Sequence, residues 1–121
     1  MEALVVDDSA AMRRMNQKAL EGLGFSVQVA KDGVEALAVL HNMPRCQLVL
    51  TDWHMPELDG LALVKALRSD SRYVNLRVIM VTSEAVVSAV QSALDAGVND
   101  FLMKPFSAEA FADRVRDVMN G

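Results

Sequence analysis

The chain has 121 residues, 52% of them hydrophobic, which is enough apolar material for one domain with a core and argues against disorder. No apolar stretch is long enough to span a bilayer, and residues 1–6 lack the basic start and extended apolar run of a signal peptide, so a cytoplasmic protein without membrane insertion is expected. A formal net charge of −4 argues against direct nucleic-acid binding, and the single cysteine, Cys46, cannot make an internal disulfide and reads as an ordinary small thiol.

Strand-like and helix-like segments alternate along the chain. Residues 2–6 predict a first strand. Ser9 is placed to cap a helix in which Met12, Met15, Ala19 and Leu23 recur at spacings of three and four, closed by Gly22 and Gly24. Phe25, Val27 and Val29 alternate as a second strand. Asp32-Gly33 turns the chain into a helix carrying Ala36, Leu37 and Leu40, which Pro44 ends. Residues 47–51 predict strand three, and Pro56 to Gly60 a loop before a helix with Leu63, Val64 and Leu67. Residues 76–81 predict strand four, followed by a helix over about 85–95 that ends at Gly97. Residues 99–103 predict strand five, and Ser107 caps a last helix with Phe111, Val115 and Val118 inward. Successive βα units of this kind make an α/β domain over residues 1–121 with a parallel sheet, although periodicity alone leaves the strand order open.

The chemistry sits where the apolar runs stop. Leu4-Val5-Val6 ends in Asp7-Asp8, Leu48-Val49-Leu50-Thr51 in Asp52, Val78-Ile79-Met80-Val81 in Thr82-Ser83, and Phe101-Leu102-Met103 in Lys104-Pro105. Ligands of an open α/β sheet bind outside the carboxyl ends of its strands. If these runs are neighbours, three carboxylates, two hydroxyls and one ammonium share a rim. Carboxylates crowded together repel, and a cation relieves that repulsion. Magnesium suits such a site because it takes hard oxygen ligands, often one or two carboxylates plus a phosphate. A carboxylate such as Asp52 can also act as a nucleophile and form an aspartyl phosphate. Lys104 and the Thr82 hydroxyl could then meet the phosphoryl oxygens, and the small Ser83 side chain leaves room for a donor.

Taken together, Val5-Val6-Asp7-Asp8-Ser9, Leu50-Thr51-Asp52-Trp53-His54-Met55-Pro56, Asp59-Gly60, Val81-Thr82-Ser83, Ala96-Gly97 and Lys104-Pro105-Phe106 resemble the receiver domains of two-component response regulators. The resemblance spans nearly the whole chain. It implies a flavodoxin-like (βα)5 fold, with a five-stranded parallel sheet in order 2-1-3-4-5 flanked by five helices, the order that flavodoxin shares with the chemotaxis receivers. It implies that Asp52 accepts a phosphoryl group from a sensor histidine kinase or a histidine phosphotransfer protein. Mg²⁺ would be held by Asp7, Asp8, Asp52 and the backbone carbonyl of His54. Thr82, Ser83 and Lys104 would contact the phosphoryl group. Thr82 and Phe101 would move inward as the switch, and His54 and Glu84 would tune the lifetime of the phosphorylated state. The chain would be a signalling switch in chemotaxis or a phosphorelay, catalysing only its own phosphorylation and dephosphorylation.

In the same family the helix after strand four, with the strand and helix that follow, forms the surface partners read. Residues Ala85 to Leu94 carry no charge, which makes that helix a candidate docking patch for a downstream protein. Val86, Val87 and Val90 cannot all face the sheet, so at least one is expected to be exposed. Trp53 is expected to be a half-buried aromatic at the rim. Competing readings are a receiver cut from a longer regulator, an aspartyl-phosphate phosphohydrolase and a flavin carrier. The phosphohydrolase is disfavoured because His54 stands where such enzymes carry a second acid. The flavin carrier is disfavoured because Asp7-Asp8 would repel a phosphate.

Overall fold

A computed structural model of the chain describes residues 1–83 and 87–121, and the side chains of residues 87 and 88 fall outside the description as well. The strands are β1 (Glu2–Val6), β2 (Ser26–Ala30), β3 (Cys46–Asp52), β4 (Arg77–Thr82) and β5 (Asp100–Met103). The helices are α1 (Ala10–Gly22), α2 (Gly33–His41), α3 (Gly60–Arg68), α4 (Val87–Ala96) and α5 (Ala108–Asn120), with one 3-10 turn over Ser71–Tyr73. All strand pairs are parallel and the order is β2-β1-β3-β4-β5, the flavodoxin-like arrangement expected.

Every strand of the sheet's interior is apolar on both sides, and alternation decides which side each residue serves. Leu4 and Val6 of β1, Val49 of β3, and Val78 and Met80 of β4 join a cluster with Ala36, Leu40, Leu63, Val64, Leu67 and Ala93 of α2, α3 and α4. Ala3 and Val5, Leu48 and Leu50, and Ile79 and Val81 join the opposite cluster with Leu20 of α1 and Phe111, Val115 and Val118 of α5. Full burial of each leucine-sized side chain contributes about 1.5–3 kcal/mol, so the two layers are a main source of the sheet's stability. The division of helices follows from handedness. Right-handed crossovers that step outward from β1 to β2 and from β3 to β5 run in opposite directions, and so put α1 and α3–α4 on opposite faces. The direction reverses between β1 and β3, and the carboxyl ends of those two strands carry Asp7, Asp8 and Asp52.

Local signals start the helices where expected. The Ser9 and Ser107 hydroxyls accept from Met12 N at 3.3 Å and Ala110 N at 3.0 Å. Asp32 and Asp59 do the same for α2 and α3, accepting from Glu35 N and Ala62 N at 2.8 Å each. Gly24 takes φ +97°, a left-handed conformation that releases the chain from α1 toward β2.

The inner face of α1 departs from the sequence pattern. Asn16 and Leu20 are its buried residues, while Met15 is 61% exposed and Ala19 faces solvent. Successive residues lie about 100° apart round the helix, so the stripe of Met12, Met15 and Ala19 runs along one side of the contact face instead of through its middle. A polar residue, Asn16, lies at the centre of that face, so an apolar pattern cannot locate it. In α2 the buried positions are Gly33, Ala36 and Leu40, with Leu37 partly buried against the core. The inner faces of α3 and α5 are as the spacing predicts.

Candidate functional site at the carboxyl rim of the sheet

Asp7 is the residue next after β1, and its placement is over-determined. Its amide donates to Ala30 O of the neighbouring strand at 3.1 Å. Its carbonyl accepts from Arg13 Nη1 at 2.7 Å, and its carboxylate Oδ1 accepts from Ser9 N at 2.9 Å. Only 2% of the residue is exposed. Its other oxygen, Oδ2, is buried with no hydrogen-bond partner among the described residues. Burial holds the Asp7 carboxyl above the usual carboxylate range. The Asp52 and Asp8 charges act in the same direction, and the Ser9 amide and Lys104 oppose it.

Asp8 is exposed beside it, and Asp52 ends β3 half-buried. Ligand atoms of Asp7, Asp8 and Asp52 all lie within 4.8 Å of one another. Asp52 Oδ1 accepts from Trp53 N at 2.8 Å. The Lys104 ammonium stands 3.6 Å from Asp52 Oδ1 and 3.8 Å from Asp7 Oδ2, so one cation faces two of the three acids. Strand pairing carries Lys104 there. Thr82 pairs with Met103, and the next amide along, Lys104 N, donates to Thr82 O at 2.8 Å. The Lys104–Pro105 peptide bond is cis.

Thr82 is fully buried at the end of β4, one residue beyond Val81, which pairs with Asp52. Ser83 is exposed and lines an apolar groove of about 440 Å³ with Met12, Met15, Lys104, Pro105 and Phe106. Phe101 is half-buried in β5, opposite Met80, and packs on the core layer beneath α2–α4. His54 is exposed, with its ring stacked near that of Trp53 at a centroid distance of 6.2 Å and 22° between planes. Glu84 lies outside the described residues.

Trp53 corrects its expectation. It is 8% exposed and belongs to the core cluster, not half-buried at the rim. Just after Asp52, Trp53 O accepts from Gly60 N at 2.8 Å, which ties this part of the backbone to the start of α3. Arg13 escapes a reading of the sequence, because a cation on an exposed-looking helix reads as solvated. Its reach to the Asp7 carbonyl depends on how α1 sits on the sheet.

The donor set suits a small hard cation. All candidate ligands are oxygens, three of them carboxylates, and an orphaned buried oxygen, Asp7 Oδ2, is among them. Burial, reinforced by the neighbouring Asp52 and Asp8 charges, raises Asp7, and a bound cation would relieve that. Among the described residues no other such cluster of acidic, histidine or cysteine groups occurs. No described helix is long and apolar enough to cross a membrane.

Comparison with known proteins agrees with this fold. The family described as response regulator receiver domain matches residues 3–116. The chain is 42% identical over 120 residues to chemotaxis protein CheY1 of Helicobacter pylori, covering 98% of this chain and 97% of that protein. It is 39% identical over 119 residues to chemotaxis protein CheY of Pseudomonas aeruginosa, covering 98% and 95%. The solved structure of Vibrio cholerae chemotaxis protein CheY4 superposes with a TM-score of 0.91 at 33% identity, covering 97% of each chain. A sheet in this order, with three acids and a lysine on its carboxyl rim and a family match over nearly its whole length, makes the chain a member of the response regulator receiver domain family.

Proposed function

We propose that this chain is a phosphorylation-driven switch of the chemotaxis-regulator type, in which Asp52 takes a phosphoryl group from a phosphohistidine on a sensor kinase or phosphotransfer protein. The observation that carries the reading is the meeting of Asp7, Asp8, Asp52 and Lys104, delivered by three different strands, with their carboxylate ligand atoms within 4.8 Å. The chemotaxis assignment rests on the relatives' names.

In the transfer, an Asp52 carboxylate oxygen attacks phosphorus, a P–O bond forms, the P–N bond to the donor histidine breaks, and the leaving imidazole takes up a proton. Lys104 is placed to neutralise charge gathering on the phosphoryl oxygens. Asp7, Asp8, Asp52 and the His54 carbonyl are the groups we assign to Mg²⁺, which when bound offsets the negative charge of carboxylates and phosphoryl group together. Trp53 N, bonded to Asp52 Oδ1, keeps the acceptor carboxylate oriented. Water attack on the aspartyl phosphate would return the resting state, and His54 and Glu84 are assigned to modulate that step.

The added charge at Asp52 is met by Thr82, Ser83 and Lys104. Buried Thr82 and half-buried Phe101 sit on the adjacent strands β4 and β5, and we assign the switch to these two residues. We assign the output to α4, β5 and α5. Leu94 and Met103, 44% and 38% exposed, give that face apolar contact points for a downstream protein. Val90 is partly exposed there, whereas Val86 and the Val87 side chain lie outside the described residues. The reading places the protein in the cytoplasm, with protein partners and no direct nucleic-acid contact.

The test is direct. With Mg²⁺ and acetyl phosphate the intact protein should gain one phosphoryl mass, and Asp52→Asn should not. Full labelling of that variant would move the acceptor elsewhere.

A further inference from the structure

The end of α4 away from the rim is fastened by a group the phosphoryl chemistry does not use. Arg68, the last residue of α3, is half-buried, and its guanidinium donates in several directions at once. Nε and Nη2 both reach Gly97 O, at 3.0 and 2.9 Å. Nη2 also reaches Asn99 Oδ1 at 3.0 Å, and Nη1 reaches Tyr73 O at 2.8 Å and Val74 O at 3.4 Å. Asn99 Oδ1 accepts Val78 N as well, at 2.8 Å, and Asn99 N returns a bond to Val78 O at 2.9 Å. One planar fork therefore ties together the end of α3, the 3-10 turn before β4, the exit of α4 and the approach to β5, and Asn99 extends the tie to Val78 of β4. Lysine has no such fork, and a half-buried guanidinium is stable only with its donors satisfied.

Gly97 is fitted to this clamp. Its φ of +110° belongs to glycine, and a Cβ there would lie 2.7 Å from Arg68 Cγ. The turn after α4 is locked from inside too, with Gly97 N on Leu94 O at 3.0 Å and Val98 N on Ala93 O at 3.1 Å, and Ala93 is fully buried. The opposite end of α4 starts shortly after Thr82-Ser83, at the rim.

We propose that Arg68 is the fixed pivot of α4, so that a displacement at the rim turns the helix about its Gly97 end instead of sliding it along the sheet. Close-packed elements move by such discrete rotations or by shear, and a fastened end permits only the first. The proposal rests on the reading of Asp52 as phosphoacceptor for its driving event, while the clamp itself does not. Arg68 is thus a positioning residue, acting on the output surface from the far side of the molecule.

Backbone amide NMR of the full chain, with and without acetyl phosphate and Mg²⁺, tests it. In the wild type, phosphate-dependent shift changes should decline along α4 toward Ala96 and be small at Gly97, Val98 and Asn99. In Arg68→Lys, which keeps the stem and the charge but loses the fork, changes at those three residues should rise to the size seen at the start of the helix. Asn99→Ala, which removes one acceptor only, should show the same pattern more weakly and serves if the arginine variant folds poorly. Wild-type changes as large at Gly97 as at the rim, or an Arg68→Lys profile like the wild type's, would overturn the pivot. Amide exchange without phosphodonor separates this from the Asp52 reading. Gly97 and Val98 should exchange at least about tenfold faster in Arg68→Lys, because the fork's charge-assisted bonds to Gly97 O and Asn99 Oδ1 are lost. Unchanged exchange removes the anchor whatever phosphate does. Faster exchange with no phosphate response in either protein would instead remove the acceptor reading and the pivoting with it.

Discussion

A methyl group placed on Gly60 would collide with the carbonyl oxygen of Asp52 and stand 3.0 Å from Trp53 Cα and from Met80 Sδ. The start of α3 thus presses directly on the backbone that presents the candidate acceptor, and Gly60 N on Trp53 O at 2.8 Å seals the contact. Gly60→Ala should cost about 1–3 kcal/mol by overpacking, read as a lower urea midpoint. Because relief requires β3 to shift, it should also slow labelling by acetyl phosphate. Wild-type stability in this variant would mean that α3 can move away at no cost.

Asp7 makes the metal-free site electrostatically unfavourable. Its native carboxyl is held above the unfolded value of 3.8, chiefly by burial, so ionising it costs more in the folded state than in the unfolded one. Its favourable contribution is complete below pH 3.8 and is lost as pH rises through the raised native value. Asp7→Asn should therefore be more stable than wild type at neutral pH in chelator, and the gain should vanish as pH falls below 3.8. Added Mg²⁺ should stabilise the wild type and do much less for the variant, since only a ligand of the native state stabilises it. Thermal melts across pH, with and without Mg²⁺, measure both. A variant less stable than wild type in chelator would contradict the sign.

Glu57 is exposed and adopts φ +67°, a left-handed conformation unfavourable for a residue with a long side chain. It lies in the loop between Asp52 and α3. Asparagine tolerates this region better, so Glu57→Asn should raise stability by about 0.5–1 kcal/mol. Chemical denaturation reads the change, and a loss would show that the Glu57 carboxylate makes a compensating contact.

Cys46 opens β3 at the end of the sheet opposite the rim. Burial pushes its thiol up to about 11, against an ordinary 9.0, with backbone hydrogen bonding at Leu48 opposing only in part. At neutral pH so weak an acid carries about a hundredfold less thiolate than an ordinary cysteine. Labelling by a disulfide reagent at pH 8 should be slow and should accelerate continuously toward pH 11. Rapid labelling at pH 8 would show that the strand end opens readily.

The sequence alone determined the class and which residues end the strands. Apolar runs such as Val78–Val81 announce doubly covered strands because a parallel sheet leaves neither face to water. The residues that end those runs, Asp7, Asp8, Asp52, Thr82 and Lys104, announce the rim because the backbone leaves the sheet there. Each of these signals is local, carried by residues a few positions apart. The tertiary structure decided what depends on distant partners. Which side of α1 turns inward is set by how the helix lies on β1 and β2, and a buried polar residue, Asn16, hides that choice from any apolar pattern. Trp53 packs into the core, and its carbonyl meets the amide of Gly60, seven positions on. The burial that raises Asp7 and the reach of Arg13 to its carbonyl exist only once the layers are packed. Arg68 reads in sequence as one more solvated cation at a helix end, and becomes a clamp only because folding brings Gly97 and Asn99, about thirty residues away, to its fork.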